Sequence, residues 1–213
     1  MTSPRISPLG DRAITLTFGE GISVELNDRV VEEANRIAGA KLHGVRDVVP
    51  AYASLTVHYD PLRIRYADLR SLLTSLSVAT TSGIPRTPRS HVIPVRYNGE
   101  DLADVARRIN LSVEDVIGIH SGAEYRVFVI GFVPGFAYLG PLDPRLVVPR
   151  RESPRKRVPA GSVAIAEAQT GVYPAETPGG WHLIGTTHVK MFDAARESPA
   201  LLAVGDRVRF TPA

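Results

Sequence analysis

Cysteine is missing from all 213 residues, which excludes disulfide frameworks, thiol nucleophiles and cysteine-ligated zinc together. Long apolar runs are missing too. No stretch approaches bilayer length, and the opening MTSPRISPLGDR lacks the apolar segment of a signal peptide, so the sequence reads as that of a cytoplasmic protein with no membrane association. A large excess of one charge is also lacking: 25 Lys and Arg stand against 22 Asp and Glu, a net +3, which excludes a nucleic-acid polyelectrolyte. Nor is there a phosphate-binding G-x-x-x-x-G-K-[ST], a dinucleotide fingerprint, a G-x-S-x-G elbow or a metalloprotease motif. A chain without self-contained catalytic machinery suits a subunit that completes a site with a partner. What is present is an apolar fraction of 44%, enough to bury one large core or two modest ones.

The first part of the chain carries a split β-α-β pattern. Ala13 to Phe18 alternates apolar and polar residues as a half-buried strand does, and Gly19 with Gly21 ends it. Val24, Leu26, Val30, Val31, Ala34, Ile37 and Ala38 then recur at mostly helical spacings. Val45 to Val49 and Ser54 to Tyr59 are two β-rich runs joined at Pro50-Ala51, and Tyr66, Leu69, Leu72, Leu73 and Leu76 make a second helical stripe. Strand, helix, strand, strand, helix predicts a ferredoxin-like α/β sandwich, with a last strand at His91 to Tyr97. Thr80 to Ser90 is polar and contains two prolines, so the domain boundary is placed there, with an N-terminal α/β domain over 1–82 and a second domain over 88–213.

The second domain opens with two short helices, Asp101 to Ile109 and one starting at Ser112, whose side chain and that of Asp115 can form a capping box. From Tyr125 the chain is β-rich and punctuated by Gly and Pro, the signature of a barrel or sandwich. Gly131 to Gly140, GFVPGFAYLG, packs glycine, proline and aromatics so densely that it reads as a shaped loop. VPAGSVAIA at 158–166, QTGVYP at 169–174 and TPGGW at 177–181 share that character.

Each of these residues has a bland reading and a chemical one. The glycines serve turns or close backbone approach, while Gly179 and Gly180 could also turn two amides toward an anion. Phe132, Phe136, Tyr138, Tyr173 and Trp181 suit core packing, and they equally suit the walls of a pocket for a flat ring. Arg150, Arg151, Arg155, Lys156 and Arg157 form a charge cluster that is either a solvated loop or an anion site. His120 near a helix C-terminus is favoured there by the helix dipole, or acts as a general acid or base oriented by Glu124. Gln169, Thr170 and Tyr173 supply neutral polar groups able to orient an amide. His182 and His188 on one strand would lie ~20 Å apart, too far to share a metal, so no metal site is expected.

The spaced motifs at 131–140, 158–166, 169–174 and 177–181, with GDRA at 10–13 and VVPAYASL at 48–55, resemble the family of the 5-oxoprolinase B subunit, also called KipI, related to the first allophanate hydrolase subunit. The resemblance implies a cyclophilin-like β-barrel for the second domain, and ATP-dependent opening of 5-oxoproline to glutamate. The partners it implies are the KipA-like C subunit and the A subunit of the same enzyme. It implies ATP with Mg for the complex and no cofactor bound by this chain alone. The alternative is a regulator that inhibits a sensor histidine kinase without turnover. With the resemblance, His120, Glu124 and Tyr125 are the expected catalytic group. Phe136, Tyr138, Arg150, Gln169, Thr170, Tyr173, Gly179, Gly180 and Trp181 are the expected substrate contacts. The chain departs from the family pattern at Thr186-Thr187-His188, where relatives commonly read Arg-Thr-Pro.

Overall fold

The computed structural model describes residues 3–78 and 87–213. The chain divides into two compact units, Met1–Thr87 and Pro88–Ala213. The boundary expected between Thr80 and Ser90 falls largely outside the described residues. Among them, no helix is long and apolar enough to cross a membrane.

In the first unit β1 (Arg5–Leu9) and β2 (Ala13–Thr17) form a hairpin, and α1 (Val24–Ala40) follows. A second hairpin of β3 (Val45–Pro50) and β4 (Ser54–Tyr59) leads into α2 (Tyr66–Val78). The strands lie in the order β1-β2-β4-β3, all neighbours antiparallel. Alternation along β2 and β4 turns Ile14, Leu16, Leu55, Val57 and Tyr59 to one face, where Val30 and Ile37 of α1 and Leu69 and Leu73 of α2 bury them. Ser23 starts α1 by accepting the Leu26 amide at 3.3 Å.

One strand is added to the expected pattern and one is moved. The run 5–9, which holds Ser7 and Pro8 and stands outside the expected elements, is a strand. It lies at the sheet edge, where a proline's missing N–H breaks no ladder bond. The strand expected at His91 to Tyr97 as the last of this sheet belongs to the second unit instead, and β1 holds the position beside β2.

The second unit runs β5 (Ser90–Val95), α3 (Leu102–Arg108), α4 (Val113–Gly122), β6 (Glu124–Ile130), β7 (Ala137–Gly140) and a 3-10 turn at Pro144–Leu146. It continues with β8 (Arg155–Val158), β9 (Ser162–Ala166), β10 (Gln169–Val172), β11 (Thr177–Gly179), β12 (His182–Thr186) and β13 (Arg207–Pro212). Seven strands form one sheet in the order β12-β9-β10-β7-β6-β13-β5, and β8 pairs with β11 beside it. Within the seven, β13 and β5 are parallel and the other neighbours antiparallel. The sheet curls until its two edges meet. Just past β5, Arg96 exchanges N–H···O bonds of 2.9 and 2.8 Å with Thr186, and the amides of Gly99 and Asp101 reach the carbonyls of Ile184 and Leu183 at 3.2 and 3.0 Å.

The concave face packs one core, including Val127, Leu139, Val163, Ile165, Val172 and Phe210, closed by α3 and α4. The expected capping box is present: the Asp115 amide donates to Ser112 Oγ at 3.0 Å, and the Ser112 amide to the Asp115 carboxylate at 3.2 Å. The glycine-rich blocks are more regular than their composition suggests. Ala137–Gly140 is a central strand, and Gly171 lies inside β10 rather than in a turn. A Cβ at Gly171 would stand 2.9 Å from the Ala137 carbonyl oxygen and 3.2 Å from the Phe136 ring, so its glycine serves close packing.

Candidate functional site

Strand β9 is buried on both faces. Val163 and Ile165 enter the main core, whereas Ala164 and Ala166 face a second, smaller cluster of Phe136, Val158, Tyr173, Trp181 and Leu183. The alanines are small because aromatic rings lie over them. Phe136 makes edge-to-face contacts with Tyr138, Tyr173 and Trp181 at centroid distances of 4.9, 5.2 and 5.5 Å, each such pair contributing about 0.5–1.5 kcal/mol beyond its buried area.

These rings floor a cavity of about 190 Å³, rimmed by Phe132, Arg150, Pro154, Pro178, Gly179 and Gly180. Glycine at 179 is a steric requirement, since a Cβ there would come within 2.3 Å of the Tyr173 hydroxyl. The Trp181 amide donates to that hydroxyl. Burial raises the Tyr138 and Tyr173 phenols above their usual range, with the nearby Arg150 charge opposing the shift, so both stay protonated donors at neutral pH. Phe132 is 60% exposed at the rim with φ of 71°, a conformation costly for a bulky residue.

The arginine cluster separates by partner. Arg151 Nη1 and Arg155 Nη2 donate to Asp101 Oδ1 at 2.9 and 2.7 Å, and Arg157 pairs with Glu176. Arg150 has no ion pair or hydrogen-bonded carboxylate among the described residues, and it lies on the cavity. An aromatic floor, two phenols and one unpaired guanidinium can hold a small flat ring that bears an anionic group. Of the expected substrate contacts, seven meet here: Phe136, Tyr138, Arg150, Tyr173, Gly179, Gly180 and Trp181.

The other expected site residues lie elsewhere. His120 is fully buried in the main core, stacked on Phe210 at 4.7 Å. Thr170 donates its hydroxyl to the Ala164 carbonyl at 3.0 Å and therefore accepts the His120 Nε2–H at 2.9 Å, which leaves Nδ1 to accept from the Tyr97 hydroxyl at 2.8 Å. Tyr125 donates to the His120 carbonyl at 2.9 Å. Every polar atom of the imidazole is thus used, and burial drives its pKa down to about 3, so it is neutral. Glu124 is not its partner but pairs with Arg207 at 3.1 Å. Strand alternation puts Thr170 with this core group. Gln169 shares the aromatic face with Gly171 yet does not line the cavity. Among the described residues no group of three or more His, Asp or Glu side chains could hold a metal.

The chain is a carboxyltransferase-type domain: the family model "Carboxyltransferase domain, subdomain C and D" matches residues 4–202. The chain is 41% identical over 222 residues to the 5-oxoprolinase B subunit of Bacillus subtilis (strain 168), covering 97% of this chain and 91% of that protein. With the 5-oxoprolinase B subunit of Escherichia coli O157:H7 it shares 39% over 215 residues, covering 100% and 97%. The crystal structure of TTHA0988 superposes with a TM-score of 0.86 at 46% identity, over 95% of this chain but 40% of that longer chain. The chain belongs to the family of 5-oxoprolinase B subunits within the carboxyltransferase C and D domains. The relatives named are enzyme subunits, and the expected alternative of a kinase regulator gains no support from them.

Proposed function

We propose that this chain is the B subunit of an ATP-dependent 5-oxoprolinase, converting 5-oxo-L-proline, ATP and water to L-glutamate, ADP and phosphate together with the KipA-like C subunit and the A subunit. The observation that carries the reading is the cavity of about 190 Å³ with its aromatic floor and the unpaired Arg150. A five-membered lactam with one carboxylate offers a flat face for the rings, an amide for the Tyr138 and Tyr173 hydroxyls, and an anion for Arg150. ATP with Mg is assigned to the complex rather than to this cavity, since the chain carries no phosphate-binding G-x-x-x-x-G-K-[ST] motif. The partnership is supported by the 46% identical domain that makes up 40% of a longer chain, whose remainder is its covalent neighbour. In this reading the first unit is a ferredoxin-like domain with β1 in place of the usual last strand, and the second is a cyclophilin-like barrel closed by the Arg96–Thr186 bridge.

Co-expression with the C and A partners is expected to give 5-oxoproline-dependent ATP hydrolysis that this chain lacks by itself. Within that complex Arg150→Gln should raise KM for 5-oxoproline by about ten- to a hundredfold, the worth of one hydrogen-bonded charge contact, with Tm unchanged because the side chain is exposed and unpaired. An unaltered KM would remove the cavity from the substrate path. The polar, proline-containing run 80–90 is the expected site of limited proteolysis into two resistant fragments, and random cutting across the chain would contradict separate domains.

A further inference from the structure

Arg150 has no partner of its own among the described residues, but the residues on both sides of it are tied down by buried polar groups. On one side His182, 2% exposed at the start of β12, donates its Nε2–H to the Pro149 carbonyl at 2.9 Å. On the other, Arg151 gives its amide to the Gly180 carbonyl at 2.9 Å and its guanidinium to Asp101 at 2.9 Å. Asp101 is 5% exposed, and its second oxygen accepts the Leu183 amide at 2.7 Å, which fixes the carboxylate to the same strand that carries His182. Arg155 completes the clamp at 2.7 Å. The segment 149–155 is thereby pinned to β12 and to the start of α3 at points flanking Arg150.

Among the described residues, four buried side-chain polar atoms have no hydrogen-bond partner, and three of them are Arg151 Nε, Arg155 Nη1 and His182 Nδ1. Unsatisfied buried polar atoms are costly, and a fold that gathers them in one place does so where function and stability conflict. Two guanidiniums on one buried carboxylate are also a poor stabiliser compared with apolar packing. What the clamp supplies instead is a fixed backbone on either side of Arg150.

We propose that Asp101 and His182 are positioning residues that hold Arg150 at the rim of the aromatic cavity for the carboxylate of its ligand. Neither touches that ligand. The proposal rests on the reading of the cavity as a 5-oxoproline site and deepens it, by dividing the chain's recognition of the anion into one contacting residue and two that aim it. A guanidinium on a wandering segment loses the geometry that makes an ion pair strong, and a shift of about 1 Å can cost up to a hundredfold.

The test is steady-state kinetics in the reconstituted complex with 5-oxo-L-proline, together with binding competition by 2-pyrrolidinone, the same lactam without a carboxylate. Asp101→Asn and His182→Leu should each raise KM for 5-oxoproline by about tenfold or more while leaving inhibition by 2-pyrrolidinone within about twofold. Adding Arg150→Gln to either should give little further loss, since the contact is already gone. His182→Gln, which keeps a donor for the Pro149 carbonyl, should recover most of the KM. If Asp101→Asn does not fold, Arg151→Lys, at a partly exposed position, tests the same flank. KM within twofold of the parent in the clamp variants, with a clear rise in Arg150→Gln, would overturn the positioning role and leave the site standing. No change in Arg150→Gln would bring down the site, and the positioning role with it.

Discussion

Gly99→Ala is expected to lower the stability of the second unit by about 3 kcal/mol or more, a fall in Tm of about 10 °C, although it adds a single methyl group. The methyl has nowhere to go. A Cβ at Gly99 would lie 2.3 Å from the Leu183 carbonyl oxygen and 2.4 Å from the carbonyl carbons of Leu183 and Ile184, and all three are backbone atoms of β12 that no rotamer change can move. Gly99 sits where the sheet's two edges meet, donating its own amide to Ile184. Relief therefore requires the seam to part, and with it the bonds made by Arg96 and Asp101. Gly118→Ala supplies the opposite sign within the same unit. It lies inside α4 with nothing within 4 Å of the added carbon, so the helix gains about 0.5–1 kcal/mol from the stiffer residue. Differential scanning calorimetry of the two variants decides: equal melting temperatures would mean that the seam does not hold the unit together.

The first unit's helices and central strands were readable because its elements are amphipathic, one face in and one face out. The edge strand β1 was not, since Arg5, Ser7 and Pro8 mark no buried face and their strand is fixed only by pairing with β2. In the second unit the reading weakened where strands are buried on both faces. Strand β9 shows no polar face, and β7 and β10 carry glycines that look like turns until the rings they accommodate are in view. Periodicity cannot report a second layer of aromatics packed outside a sheet.

The same limit divides the candidate site. The motifs carrying Phe136, Tyr138, Tyr173, Gly179, Gly180 and Trp181 were visible as clusters of aromatic and glycine residues, and the fold gathers them at one cavity. Arg150, the one arginine of the run 150–157 expected at the site, lies on that cavity, but the reason the others do not was not legible, because Arg151, Arg155 and Arg157 are held by Asp101 and Glu176, distant in sequence. Nothing near His182 in sequence points to its bond with the Pro149 carbonyl, 33 residues away. His120 and Glu124, four residues apart, suggested a catalytic pair, but α4 ends at Gly122 and the chain turns into β6, which sends Glu124 outward to Arg207.

His120 offers the sharpest test between a structural and a catalytic role. The groups packed on it are Tyr97, Thr170, Tyr125 and Phe210, and no carboxylate is among them to stabilise an imidazolium. Its pKa falls to about 3 in the folded chain against about 6.5 when unfolded. The folded state therefore declines a proton that the unfolded state accepts. Its contribution to stability is whole above pH 6.5 and is lost as pH falls, by about 1.4 kcal/mol per unit, until the loss levels off near pH 3. Between pH 6.5 and 5 the loss is about 2 kcal/mol, in a window where Asp60, Asp104, Asp115 and Asp143, all held below the ordinary carboxylate range by hydrogen bonds, stay ionised in the folded state. Urea unfolding of the parent at these two pH values should show that loss. His120→Gln should be about 2 kcal/mol less stable at pH 7, having broken the Tyr97–His120–Thr170 chain, and should lose correspondingly less on acidification. Its kcat in the reconstituted complex, corrected for the folded fraction, should stay within a few-fold of the parent and keep the same pH profile. A general base would behave otherwise: a loss of kcat of about a hundredfold or more, with the acid limb of the profile abolished and stability untouched, would return His120 to the chemistry and place the reacting groups on the concave side of the sheet.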